Sequence, residues 1–343
     1  MDTTPPAIPF SPDEDLKSSS MLHLADHFHR LATGATQVPA QSLTSHLRHA
    51  MADADVVAYH DRLVADAGPL FLHFLASVPY ILEEMARIGV ALTRLSQARQ
   101  TDGPRTFSFF EIDAFDGSNG RALAAHSQGL INTFTTSPNT ANQAHFDRYA
   151  DPTRSLFYPQ SFLTLQPRLF AEAPYGRFRE GFDYVYETAA FQFYSRDRKA
   201  QVNHIKPLLK PGALVFFLEK LNHEDVGQYL ERERMKDNGF KTRYFTQEEI
   251  DWKRQQMLEQ MQNGQVLMPE LVEALSSHFK YVYLLWNSTN FYEFVATDDG
   301  ARLEQFLNVL GPIHQPEGFC FEPSAIGYVT RAPLPREEER ADA

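Results

Sequence analysis

Apolar side chains in this chain first recur every three or four positions and then, past residue 105, come in strand-like runs. From Met21 to about Gln100 the spacing is helical: Val78, Ile81, Leu82, Met85, Ile88, Leu92 and Leu95 share one helix face. Shorter helices are predicted near Leu22–Leu31 and Ser42–Met51. At Thr106 the period changes. TFSFFEID predicts a strand, RALAAH after two glycines a helix, and GLINTFTT a second strand. Ser137-Pro138 opens the next predicted helix, SPNTANQAHFDRYA, because proline suits the first helical position. SLFY is a short third strand and FDYVYE a fourth; RKAQVNHIKPLL is a helix ended by Lys210-Pro211-Gly212, and ALVFFLE is a fifth strand. Strands alternating with helices of this length specify βαβ units and a mainly parallel sheet.

The alternation breaks at residues 222–280, a largely helical stretch. Thr246-Gln-Glu-Glu249 has the capping-box pattern, and the helix it starts is predicted to run through Trp252 and Met257 to Asn263-Gly264. Pro269 begins another helix, and HFKYVYLLWNSTNFYEFVAT gives two strands joined at Asn287–Asn290. The predicted fold class is α/β: a doubly wound, mainly parallel seven-stranded sheet ending in an antiparallel hairpin. A polar tail (1–20), expected to be disordered, precedes a helical cap (21–104) and a core (105–300) with the helical insertion (222–280); an extension (301–343) ends in charged PREEERADA.

Composition narrows the function. The 343 residues are 43% hydrophobic and 22% charged, as expected of a chain with a packed core. The formal net charge is −12 and Lys/Arg form no block, which argues against a nucleic-acid partner. The single cysteine, Cys320, excludes an intramolecular disulfide and reads as a small apolar residue. Residues 1–20 lack the apolar stretch of a signal peptide. The longest apolar run, Pro69–Ile81, contains His73 and two prolines and is too short to span a bilayer. A cytoplasmic protein with no membrane partner is the expectation.

The candidate chemistry begins in FSFFEIDAFDGSNGRALA. A buried strand ends in Glu111 and Asp113, and a loop with Gly117 and Gly120 leads into a helix. In a doubly wound sheet that loop lies where ligands bind. Carboxylates there suit a ligand with a cationic amine and hydroxyls, whereas a dinucleotide site needs a phosphate-cradling glycine loop. An ordinary tight turn would carry the same two glycines.

The segment GFDYVYETAAFQFYSRDRKAQVNHIKPLLKPGALVFF resembles the middle of class I S-adenosylmethionine-dependent methyltransferases, in which a strand like FDxV is followed by a helix ending in L-[KR]-P-G-G; the match here is Leu209-Lys210-Pro211-Gly212-Ala213. With the final hairpin the resemblance covers roughly residues 105–300. It implies S-adenosylmethionine as cofactor. Glu111 falls on the family's first-strand carboxylate and Gly117 on its third loop glycine; the first two glycines are Asp113 and Phe115, so Asp113, Asp116 and Asn119 offer side chains where backbone usually serves. Thr135 or Thr136, before Ser137, takes the place of the usual ribose-binding acid, and Gln160 and Ser161 are candidates for the adenine edge.

The loops after the fourth strand (Glu187, Thr188, Phe191, Gln192, Tyr194) and after the fifth (Asn222, His223, Glu224) are expected to face the methyl group. His223 is the expected general base; Glu187 would hold the methionine part or the acceptor, with Gln192 and Tyr194 beside it. A divalent metal on Glu187, His223 and Glu224 is a less favoured arrangement. The aromatics Phe240, Tyr244, Phe245 and Trp252 suit a lid over a small organic acceptor, free or carrier-tethered, methylated on carbon or oxygen. Such caps are similar to those of natural-product and polyketide tailoring methyltransferases; the same helices would also serve a homodimer contact. The alternatives are a nicotinamide-dependent oxidoreductase and a non-catalytic methyltransferase-like binding protein.

Overall fold

The computed structural model describes residues 11–36, 39, 41–102, 105–262 and 264–331. The charged ending and residues 1–10 of the expected tail lie outside them, as does Asn263. The expected tail is helical over Pro12–Ser18, where Asp15 is buried and accepts a hydrogen bond from Ser195 Oγ (3.2 Å).

Eight strands form one sheet: β1 (Phe107–Ile112), β2 (Ile131–Thr136), β3 (Ser155–Tyr158), β4 (Phe182–Thr188), β5 (Leu209–Lys220), β6 (Tyr281–Ser288), β7 (Phe291–Thr297) and β8 (Gly327–Arg331). Their spatial order is β3-β2-β1-β4-β5-β7-β6-β8. β1 to β5 run parallel, and β7, β6 and β8 are antiparallel to their neighbours. The doubly wound sheet and its antiparallel ending are as the alternation predicts. The eighth strand is not: Gly327-Tyr-Val-Thr-Arg331 extends the edge beyond β6 from within the expected C-terminal extension.

Both faces of the sheet are covered, as a parallel sheet requires. On β1 Phe107 and Phe109 point to one core while Phe110 and Ile112 point to the other; on β5 Phe216 and Phe217 divide in the same way. The first core is closed by the helix Ile81–Ala98, buried on nearly every side. Gly89 in that helix makes room for Tyr59, whose ring carbon Cζ would lie 2.2 Å from any added Cβ. Tyr59 belongs to the helix Ala54–Ala65, which with Pro69–Leu75 lies in the block of helical spacing. The segment 42–51, expected to be helical, has only a single tight turn at Arg48–Ala50.

Two further boundaries move. The helix expected to reach Lys210-Pro211-Gly212 is regular only over Arg198–Ile205, because Pro207 has no N–H to continue it. Lys210 is instead the second residue of β5, where its ammonium binds Asp183 (2.7 Å) and Ser108 Oγ (3.0 Å). The helix after β2 is Ala141–Tyr149, so Pro138 lies in a loop rather than at the first helical position. The capping box forms as expected: Thr246 N–H donates to Glu249 (2.8 Å), Glu249 N–H donates to Thr246 Oγ1 (3.3 Å), and the helix is Gln247–Gln262.

Candidate active site

The strand order reverses direction at β1/β4, the place where doubly wound sheets bind ligands. A cavity opens there, enclosing about 1050 Å³ of empty space counted to its mouth. Its floor is the loop after β1 (Asp113, Phe115), the loop after β2 (Ser137, Asn139) and the loop after β4 (Thr188, Gln192). Its roof is the amino-terminal helices, with His73 and Ser77, and the helical insertion, with Lys236, Lys241 and Lys253.

The loop after β1 has an unusual backbone. Alternate residues take left-handed dihedrals: φ is +47° at Asp113, +53° at Phe115 and +67° at Gly117. Left-handed backbone costs an L-residue with a Cβ about 1–2 kcal/mol, so Asp113 and Phe115 are held there by their surroundings. Asp113 accepts hydrogen bonds from Thr136 Oγ1 (2.8 Å), Phe162 N–H (2.9 Å), Ser161 Oγ (3.1 Å) and the Tyr194 hydroxyl. Burial nonetheless raises its pKa to about 6. The Phe115 ring lies 4.8 Å from that of Phe74 and 5.7 Å from that of Phe71. At Gly117 an added Cβ would come within 2.9 Å of Thr135 Oγ1 and 3.1 Å of the Phe146 ring.

Beneath the loop, Glu111 accepts from Asn119 Nδ2 (2.8 Å), Gly120 N–H (2.9 Å) and Thr135 Oγ1 (3.4 Å). Tyr59 donates to Asn119 Oδ1 (2.9 Å), so the chain from helix to strand is closed. Burial raises the Glu111 pKa to about 7. Asp116 accepts from Gly68 N–H (3.0 Å) and pairs with Arg121 (3.1 Å), fastening the amino-terminal helices to the loop.

The turn after β4 is braced in the same way. Ala189 has φ +53°, and Glu187 Oε1 accepts from the N–H of Ala190 and of Phe191 (2.9 Å). Burial and the neighbouring Glu219 hold the Glu187 pKa far above the usual carboxylate range. Glu219 itself is ion-paired with Arg198 (2.5 Å). Gln192 Nε2 donates to Ala189 O (3.0 Å), which turns Gln192 Oε1 into the cavity wall without a partner.

The structure therefore brings Asp113, Ser137 and Gln192 to the cavity wall. Gly117, Glu111, Asp116, Asn119 and Thr135 lie below it as supports of the loop, and Ser161 and Tyr194 reach it only through Asp113. Two expectations are displaced. Gln160 is exposed and accepts from Tyr158 OH (3.1 Å). His223 does not line the cavity; its Nδ1 accepts from Asp225 N–H (2.9 Å) in a half-exposed turn. β5 runs on to Lys220, so it is Lys220 that stands at the cavity and His223 lies beyond it. Glu187, His223 and Glu224 are not assembled together, and no group of three or more metal-ligating side chains occurs among the described residues.

The polar residues of the roof carry no signal in the sequence. His73 is buried, its Nε2 has no partner, and burial together with Lys253 holds its pKa well below the usual value. Asn139 Nδ2 and Thr188 Oγ1 are likewise buried without partners in the wall. Four orphaned polar atoms around one cavity point to a polar ligand.

No protein-family model matches the chain, and no curated protein is similar to it in sequence. Among solved structures it is similar in fold to the plantazolicin methyltransferase BpumL in complex with SAH, at 10% identity over 84% of this chain and 99% of that one, with a TM-score of 0.43. It is also similar to an arsenic(III) S-adenosylmethionine methyltransferase from Chlamydomonas reinhardtii, at 11% identity over 59% of this chain and 72% of that one, with a TM-score of 0.38. Likenesses this distant carry no argument about activity. What the chain itself defines is a doubly wound α/β protein with a roofed cavity at its switch point. No described helix is long and apolar enough to cross a membrane.

Proposed function

We propose that the protein is an S-adenosylmethionine-dependent methyltransferase acting on a carbon or oxygen of a small organic acceptor. The observation that carries this reading is the left-handed backbone at Asp113, Phe115 and Gly117, directly after Glu111 at the sheet's switch point. These are the positions that align with the three loop glycines of the class I methyltransferases, and the backbone is glycine-like at all three although only one is glycine. Bound S-adenosylmethionine supplies a methyl group on a positively charged sulfur. The chain's own contribution is to bind, orient and exclude water.

Ser137, Asn139 and Gln192 offer hydroxyl, amide N–H and amide oxygen to the cofactor's polar groups, and Phe115 offers an apolar surface. Glu111, Asp116 and Asn119 act as positioning residues through the loop, and Glu187 through the turn at Ala189. Where the acceptor must lose a proton, His73 is the better base than His223, because its Nε2 is neutral, unpartnered and in the cavity. The fold alone does not separate this reading from an oxidoreductase; Asp113 in the cavity floor, in place of a phosphate cradle, supports it.

Calorimetric titration with S-adenosylmethionine and, separately, with NADH tests the reading. Saturable binding of the first and none of the second is expected; the reverse result, or no binding of either at millimolar ligand, overturns it.

A further inference from the structure

The roof of the cavity is far more basic than a protein of net charge −12 would suggest. Two buried carboxylates stand there and each is shared by two cations. Glu233 binds Lys220 (3.0 Å) and Lys236, and Asp237 binds Lys241 (2.8 Å) and Arg254 (2.6 Å). Arg254 also reaches Asp251 at 4.0 Å on the solvent side. Lys253 has no carboxylate partner among the described residues; it donates to Ser77 Oγ and its ammonium lies 5.2 Å from the Phe245 ring centre. It is only 8% exposed. One cation is thus unbalanced at Glu233 and one at Lys253, before the partly exposed Arg254 is counted.

An unpaired buried ammonium is costly, and burial together with Lys241 and Lys236 pushes the Lys253 pKa well down until an anion joins it. Its field is felt by its neighbours: together with burial, Lys253 pushes His73 well down, and together with burial and Arg30 it pushes His27 to about 4. The cavity wall also carries the aromatic rings of Phe28, Phe74, Phe193 and Phe291.

We propose that the acceptor is an organic acid: an apolar body whose carboxylate or phosphate is held by Lys253, with Lys236 and Lys241 behind it. The inference names the substrate class of the site proposed above and rests on that reading for the reaction, though not for binding. The anion completes the ion pairing of the roof, and the apolar body fills the aromatic middle of the cavity. A neutral acceptor would leave Lys253 unpaired.

The test is calorimetry on the full chain saturated with S-adenosylhomocysteine, using 3-phenylpropionate, phenyl phosphate and 3-phenylpropanamide as probes, with Lys253→Met beside the native protein. At least one anion is expected to bind tenfold or more tightly than the amide, the stronger one identifying the acid, and Lys253→Met is expected to abolish that preference. Equal affinity for all three, or binding of none, overturns the proposal. So does a preference that survives both Lys253→Met and Lys241→Met. Should Lys253→Met fail to fold, Lys241→Met alone is read in the same way. S-adenosylhomocysteine affinity of Lys253→Met is measured in parallel. An unchanged value is expected; a tenfold loss would assign the cation to the cofactor and overturn the proposal. Acid preference in a protein that binds no S-adenosylhomocysteine refutes the methyltransferase reading while leaving the acid site standing.

Discussion

Replacing Glu111 by Gln isolates the cost of a buried carboxylate under the candidate cofactor loop. Glu111 is 1% exposed, and its pKa is raised from 4.5 to about 7, chiefly by burial. Because the folded pKa lies above the unfolded one, the native state holds a proton that the unfolded chain has released between those values. The native state is therefore unpenalised below pH 4.5, and loses stability as pH rises through 7. The rise from 4.5 to about 7 corresponds to about 3 kcal/mol once both states are ionised. Gln does not titrate, so whatever fixed cost it brings at the Asn119 and Gly120 contacts is independent of pH. Between pH 5 and pH 8 the stability of Glu111→Gln relative to the native protein is expected to improve by about 2.5 kcal/mol. Urea unfolding at the two pH values measures it. A difference that does not change with pH, or that moves against Gln, would refute the assignment of a strained, proton-holding Glu111.

Gly117→Ala adds a Cβ at φ +67° next to Thr135 and Phe146; it is expected to cost about 1–2 kcal/mol in urea unfolding and to weaken S-adenosylhomocysteine binding. His223→Ala is expected to leave that affinity within twofold, since His223 stands outside the cavity. With any acid acceptor found, His73→Phe is expected to lower kcat by about 100-fold with little change in KM, and to remove the low-pH limb of the rate profile; an unchanged profile would remove His73 from the chemistry.

The parallel part of the sheet was legible because β1 and β5 carry apolar runs bounded by loops, FSFFEI and LVFFLE, and the strands between and beside them alternate with helices. Boundaries set by a single proline were misplaced: Pro207, not Pro211, ends the helix before β5, and Pro138 serves the cavity loop instead of a helix start. The bounds of the helix Ala54–Ala65 were not legible within the helical block because Tyr59 and His60 are polar-tipped residues that only the tertiary fold buries. At the site, Glu111 and Gly117 were found by alignment to a known loop, and the glycine-like backbone at Asp113 and Phe115 could not be read from residues that disfavour it. The roof lysines left no mark at all. Glu233 and Lys236, or Asp237 and Lys241, are spaced three and four apart like any solvated helical ion pair. Only the packing of the insertion over the sheet turns that face inward.

The central claim, that S-adenosylmethionine occupies the switch-point cavity, is met most directly by electron density in crystals soaked with S-adenosylhomocysteine. The account predicts density along the Asp113–Gly117 loop, with polar contacts to Ser137, Asn139 or Gln192. Ordered density elsewhere, or a cavity that stays free of the ligand while calorimetry reports binding, would contradict it.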